Sequence, residues 1–204
     1  MMRKKIAVFA SGFGSNLQAL IDYNTDGDLG GDIVFVFSNE SGAFALKRAK
    51  KHKIRAESID PLGFASRQDF EVEILKILKE EKIDLIVLAG YMFLLTPLLI
   101  GEYKDRILNI HPALLPSFKG THGIKDAFEY GVKISGVTVH FVDSELDNGP
   151  IIMQVPVFIG QDETLEKFEE KIHKVEHKIY PQAVKLFCED KLKIKGRKVE
   201  ILPE

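Results

Sequence analysis

Ile6-Ala7-Val8-Phe9-Ala10 is an unbroken apolar run that passes directly into Ser11-Gly12-Phe13-Gly14-Ser15-Asn16, after which Leu17, Ala19, Leu20 and Ile21 begin a helix. A strand apolar on both sides has to be covered on both sides, as in a parallel sheet flanked by helices. Strand, glycine loop and helix in that order commit the chain to an α/β architecture. The same order presents main-chain N–H groups and the positive end of a helix to an anion. Gly12 and Gly14 lack the Cβ that would keep a phosphate from the backbone. The pattern is G-x-G-S-N, without the third glycine of a dinucleotide fingerprint and without the Lys-Ser/Thr of a P-loop. A second apolar strand, residues 33–37, has no acidic residue at its end and runs into Ser38-Asn39-Glu40. Both features favour a mononucleotide or sugar phosphate over NAD. A tight strand-to-helix turn with no ligand fits the same residues.

The alternation continues down the chain. Residues 43–51 read as a basic-faced helix and 54–59 as a short strand. Residues 66–81 read as an amphipathic helix with Phe70, Ile74, Ile77 and Leu78 at helical spacing. Residues 83–89 are a fourth strand, 98–103 a short helix and 106–110 a fifth strand. This predicts a Rossmann-like, doubly wound, mostly parallel sheet. After Pro116 the character changes. A glycine-punctuated loop, 117–123, leads to a helix at 124–130 ended by Gly131. Strands at 135–142 and 151–159 flank an acidic turn, 143–150, which predicts an antiparallel hairpin in the C-terminal half. A long helix follows at about 164–189, with Asp162 as its N-cap. Two short β segments, 192–194 and 198–202, close the chain around Gly196.

Composition narrows the class of function. The net charge of -2 over 204 residues argues against a surface that coats nucleic acid. Cys188 is the only cysteine, so there is neither a disulfide framework nor a thiolate metal cluster, and its apolar neighbours make it a core residue. The basic start, Met1-Met2-Arg3-Lys4-Lys5, is followed by an apolar run too short for a signal peptide. No apolar stretch reaches the ~20 residues of a membrane span. The expectation is a cytoplasmic protein of small-molecule substrates, with no nucleic-acid or membrane partner and an oligomeric state that the sequence leaves open.

The chemistry concentrates in Leu108-Asn109-Ile110-His111-Pro112. Side chains i and i+2 of a strand point to one side, so Asn109 and His111 project together from a strand end, where open α/β sheets place ligands. A buried histidine with a local hydrogen bond fits an isolated N-x-H equally. Three further features bear on the choice. Gly90-Tyr91-Met92-Phe93-Leu94-Leu95-Thr96-Pro97 is an apolar loop after a strand, suited to the core or to a flat apolar ligand. Arg67 lies in the first turn of a helix, where the dipole disfavours a cation. Asp143 to Asp147 is acidic, and a carboxylate beside an imidazole favours the charged ring. Such a ring can donate to a developing oxyanion or to a leaving nitrogen. No G-x-S-x-G elbow or metal-binding set is present. The chemistry that fits is direct acyl-type transfer between two bound substrates, without a covalent enzyme intermediate and without a metal.

Several stretches together resemble the folate-dependent formyltransferases, and within them the phosphoribosylglycinamide formyltransferases of purine synthesis. They are Ser11 to Ala19, Leu88-Ala89-Gly90-Tyr91-Met92, Leu108 to Pro116, and Val139-His140-Phe141-Val142 through Leu146-Asp147-Asn148-Gly149-Pro150. The resemblance runs from Ile6 to about Pro181. It implies one formyltransferase domain over 1–204, with phosphate-binding βαβ units in about 1–105 and the catalytic and folate-binding portion in about 106–204. It implies Asn109, His111 and Asp147 as the catalytic trio. His111 would donate the proton and stabilise the oxyanion. Asp147 would favour the charged imidazole and order a proton-shuttling water, and Asn109 would hold the formyl oxygen. Gly14, Ser15 and Asn16 would bind the substrate phosphate, and Glu176 the ribose hydroxyls. The loop Met92, Phe93, Leu94 and Leu95 would lie against the pterin of 10-formyltetrahydrofolate, with Arg67 near its glutamate tail. Phe93 departs from the family, which often has arginine there. His122 receives no role. His140 reads as structural and His52 as a surface residue, while His173, one turn before Glu176, could face the phosphate.

Three other readings compete. A methionyl-tRNA formyltransferase would need an added C-terminal domain and a more basic surface. A formyltetrahydrofolate hydrolase would need a further N-terminal regulatory domain. A non-catalytic nucleotide-binding module would not need Asn109, His111 and Asp147 to converge.

Overall fold

The computed structural model describes residues 3–203, so Met1 and Met2 of the basic start and the final Glu204 lie outside the described residues. The chain divides into two compact units, 1–108 and 109–204.

The first unit runs β1 (Lys4–Phe9), α1 (Ser15–Asp26), β2 (Gly31–Ser38), α2 (Phe44–Lys51), β3 (Arg55–Ser58), α3 (Arg67–Glu80), β4 (Leu85–Leu88) and α4 (Pro97–Glu102). Its strand order is β3-β2-β1-β4, and every neighbouring pair is parallel. Ile6, Ala7, Val8 and Phe9 are wholly buried, as a strand covered on both faces must be. The chain builds outward from β1 to β3 and then crosses to the other side of β1 to lay down β4. The carboxyl ends of β1 and β4 therefore flank the reversal in strand order, the place where such sheets hold ligands. The glycine loop after Phe9 and the apolar loop after Leu88 both leave from this point. A short 3-10 turn at Pro61–Gly63, started by Asp60, is an addition to the elements read from periodicity.

β5 (Ile107–His111) crosses the division between the units. The second unit continues with α5 (Gly123–Tyr130), β6 (Ile134–Phe141), β7 (Ile151–Phe158), α6 (Leu165–Cys188), β8 (Leu192–Lys195) and β9 (Lys198–Ile201). β6 and β7 form the expected antiparallel hairpin, with Ile134 opposite Phe158 and His140 opposite Ile151. β9 lies parallel to β7 and antiparallel to β8. The core of this unit forms where α6 packs on β6 and β7, with Val137, Val139, Ile172 and Tyr180 buried, and Phe128 of α5 stacks on the fully buried Phe168 at 6.2 Å. The N-cap of α6 is Thr164, whose hydroxyl accepts from the Lys167 N–H. Asp162 is not the cap, because a cap bonds the N–H three residues on, and Asp162 lies two residues too early for the first turn.

Candidate active site

Asn109 and His111, two residues apart at the end of β5, both reach Asp147. His111 Nδ1 lies 3.5 Å from Asp147 Oδ2, and Asn109 Nδ2 lies 3.5 Å from Oδ1. His111 and Asp147 are almost withdrawn from solvent, at 3% and 9% exposure. Backbone geometry brings the carboxylate in. A Cβ on Gly149 would lie 1.8 Å from the Phe141 carbonyl oxygen, so only glycine lets the acidic turn fold back on β6. Asp147 itself has φ +46°, a left-handed conformation that residues with a Cβ rarely adopt and that clusters at functional sites. The Gly120 N–H secures it by donating to Oδ2 at 2.8 Å.

The other face of the imidazole is also engaged. Nε2 donates to the Phe118 carbonyl at 2.7 Å. With oxygen acceptors at both ring nitrogens, His111 donates to both only when each carries a proton. Gly123 lies directly below; a Cβ there would be 3.2 Å from Nε2.

His140, read as a structural residue, is buried at 2% exposure beside this cluster. Its Nδ1 donates to the Phe141 carbonyl at 2.8 Å, leaving Nε2 to accept from the Asn109 amide at 3.3 Å. Burial pushes the His140 imidazole below its ordinary range, opposed by the Phe141 carbonyl and by Asp147. The register of β6 against β7 shifts between Val139 and His140, Val139 lying opposite Met153 and His140 opposite Ile151. The one hint in the sequence is a histidine sharing the polar side of β6 with Thr138.

In the first unit the glycine loop starts α1. Gly14 has φ +73°, and a Cβ on it would lie 2.7 Å from that of Ala45. Gly12 would meet nothing within 4 Å. The two glycines therefore differ: Gly14 is needed for conformation and for packing on α2, and Gly12 is not. No side chain caps α1, and its first turn holds no acidic residue. Ser11, which no motif singled out, ties this loop to the apolar one. Its N–H donates to the Gly90 carbonyl at 3.0 Å, and its hydroxyl donates to Asn39 Oδ1 at 2.6 Å. The same hydroxyl accepts from the Met92 N–H at 2.8 Å.

The apolar loop is half in and half out. Met92 and Leu94 are exposed, at 63% and 55%, whereas Phe93 packs edge-on against Phe70 at 5.4 Å. The Arg67 guanidinium lies 5.1 Å from the centre of the Phe93 ring, a cation–π distance. The loop is anchored at its far end by buried Glu71. This carboxylate accepts from the Thr96 N–H at 2.6 Å, from the Thr96 hydroxyl and from the Leu99 N–H at 3.3 Å. Burial raises the Glu71 pKa, and these bonds pull the other way.

The family profile described as "Formyl transferase" matches residues 4–184. This chain belongs to the formyl transferase family. It is 40% identical to the phosphoribosylglycinamide formyltransferase of Bacillus subtilis over 182 residues, covering 89% of this chain and 93% of that one. It is 44% identical over 186 residues to the trifunctional purine biosynthetic protein adenosine-3 of Chironomus tentans, covering 90% of this chain. It spans only 14% of the length of that relative. Among solved structures, glycinamide ribonucleotide transformylase 1 from Symbiobacterium toebii superposes with a TM-score of 0.96 at 41% identity. That superposition covers 98% of this chain and 95% of the other.

The remaining candidates lie on α6 or at the surface. Glu176 is buried at 4% exposure, and His173 Nδ1 donates to its Oε2 at 2.8 Å. That bond raises the His173 pKa, so His173 faces the carboxylate. His52 is at the surface beside Gln18, and Cys188 is buried. His122 sits before α5 and makes no side-chain capping bond. Among the described residues, no group of three or more His, Cys, Asp and Glu side chains could hold a metal ion, and no helix is long and apolar enough to cross a membrane.

Proposed function

We propose that this formyl transferase carries a formyl group from 10-formyltetrahydrofolate to the amine of 5-phosphoribosyl-glycinamide, giving the N-formyl product of de novo purine synthesis. The observation that carries the proposal is the convergence of Asn109 and His111 on Asp147. The substrate amine attacks the formyl carbon and forms a new C–N bond, and the formyl oxygen takes up the negative charge of a tetrahedral intermediate. Collapse breaks the bond to the folate nitrogen, which leaves with a proton; the attacking amine gives one up.

Each residue has a task in that sequence. His111 gives up its Nε2–H bond to the Phe118 carbonyl for the substrate, stabilises the oxyanion and donates the proton that the leaving nitrogen needs. The Asn109 amide holds the formyl oxygen, exchanging its long 3.5 Å contact with Asp147 for the substrate. Asp147, already secured by Gly120, opposes the imidazolium charge and passes on the proton lost by the amine. Gly14, Ser15 and Asn16 bind the phosphate, supported by the absence of any side-chain cap on α1. Glu176 takes the ribose hydroxyls. Met92 to Leu95 take the pterin, supported by the exposure of Met92 and Leu94, and Arg67 takes the glutamate tail.

The deciding experiment follows formyl-folate turnover by absorbance, with and without 5-phosphoribosyl-glycinamide. Turnover that depends on the amine is the expected result. Equal turnover in its absence would make this a hydrolase, and no turnover in either case would leave a binding module.

A further inference from the structure

All three successive carbonyls of the glycine loop are already taken. The Gly12 oxygen accepts from the Ala45 N–H at 3.1 Å and the Gly14 oxygen from the Gln18 N–H at 3.0 Å. Between them, the Phe13 oxygen accepts from Arg48 Nε at 2.9 Å. A loop that is to receive an anion must turn its carbonyls away and present its N–H groups. Two of these three bonds come from α2, and the Arg48 bond is the only one made by a side chain.

Arg48 is itself held in place. Its guanidinium lies 4.5 Å from the Phe13 ring centre and 4.9 Å from that of Phe44. The two rings stack at 5.3 Å with their planes 9° apart. A second bond runs from Arg48 Nη1 to Gln18 Oε1 at 3.1 Å. Phe13 is 66% exposed and Phe44 43%, so the stack sits at the surface, beside the loop. None of these three side chains has a task in the formyl transfer.

We propose that Arg48 is a positioning residue for phosphate binding. Seated on Phe13 and Phe44, it fixes the peptide plane after Phe13 so that the N–H groups at the start of α1 face the phosphate. Arg48 does this through its fork and its stacking, not through its charge on the ligand. The inference rests on the phosphate reading of Gly14, Ser15 and Asn16.

The test is steady-state kinetics of the whole enzyme with both substrates varied, alongside thermal melts. Arg48→Ala and Arg48→Lys should each raise the ribonucleotide KM about tenfold, the scale of one charge-assisted bond, with kcat and the folate KM within about twofold. Phe44→Leu removes half of the platform while leaving every loop residue in place, and should raise the same KM by a smaller factor. Rescue by lysine would make the effect one of charge and overturn the proposal. A lowered melting temperature with both KM values moving together would mean a merely structural role, and would also overturn it. Asn16→Ala separates the two readings. If it leaves the ribonucleotide KM unchanged, the phosphate site itself is wrong. If it raises that KM while the Arg48 variants do not, only the positioning role fails.

Discussion

Asn109 donates its side-chain amide to Nε2 of His140 across 3.3 Å. His140 can accept because its Nδ1–H is committed to the Phe141 carbonyl. The tautomer of one buried ring thus sets which way the amide of another residue points. His140→Phe keeps an aromatic ring but removes the acceptor. It should lower kcat about tenfold, the scale of one misplaced hydrogen-bond donor, with both KM values within about twofold. His140→Gln supplies an acceptor and should recover part of the loss. Steady-state kinetics of the two variants check this; equal losses in both would count against the role of the acceptor.

The same ring gives a pH dependence of stability. Burial lowers the His140 pKa from 6.5 in the folded chain. The unfolded chain therefore takes up the proton first as the pH falls. The neutral ring's contribution is complete above about pH 6.5 and is lost below it, until the folded-state pKa is passed. His173, raised by Glu176, has the opposite sign and contributes less as the pH rises through its folded-state value. Urea midpoints measured from pH 7 downward should fall more steeply for the parent than for His140→Gln. Parallel slopes would contradict this.

His111→Ala and Asp147→Asn remove the donor and the carboxylate that faces it. Either change should cost at least ~100-fold in turnover, as lost acid–base catalysis does. Calorimetric binding of 5-phosphoribosyl-glycinamide should stay close to that of the parent. A variant with full turnover would remove that residue from the mechanism.

Asn16 and Arg67 should divide the two substrates between them. Asn16→Ala should raise the ribonucleotide KM and spare that of the folate. Arg67→Ala, which empties the face of Phe93, should do the reverse, each by about tenfold for one lost polar contact. A change that moved both constants alike would dissolve the assignment of that residue.

Gly14→Ala meets two obstacles, a left-handed φ of +73° and the side chain of Ala45. It should cost about 2–4 kcal/mol in urea unfolding. Gly12→Ala, which meets nothing, should change stability by less than about 1 kcal/mol. Comparable losses at the two positions would mean that the loop does not distinguish them.

The order of strands and helices was legible along the chain because periodicity is local: an apolar run such as residues 6–10 or an i+4 pattern such as Phe70 and Ile74 depends only on near neighbours. The shared side of Asn109 and His111 is local for the same reason. Asp147 was reached through resemblance, and its convergence on them depends on a left-handed residue and on Gly149, which no periodicity announces. Thr164 displaced Asp162 as the cap of α6 because the cap depends on where the first turn closes. The partners of His140 and Ser11 were not legible because they are remote. His140 meets Asn109 across 31 residues, and Ser11 meets Met92 across 81. Local residue order settled the α/β class and the pair at the end of β5. The orientation of that pair was decided only by the tertiary structure, because the groups that orient it are brought within hydrogen-bonding distance by folding alone.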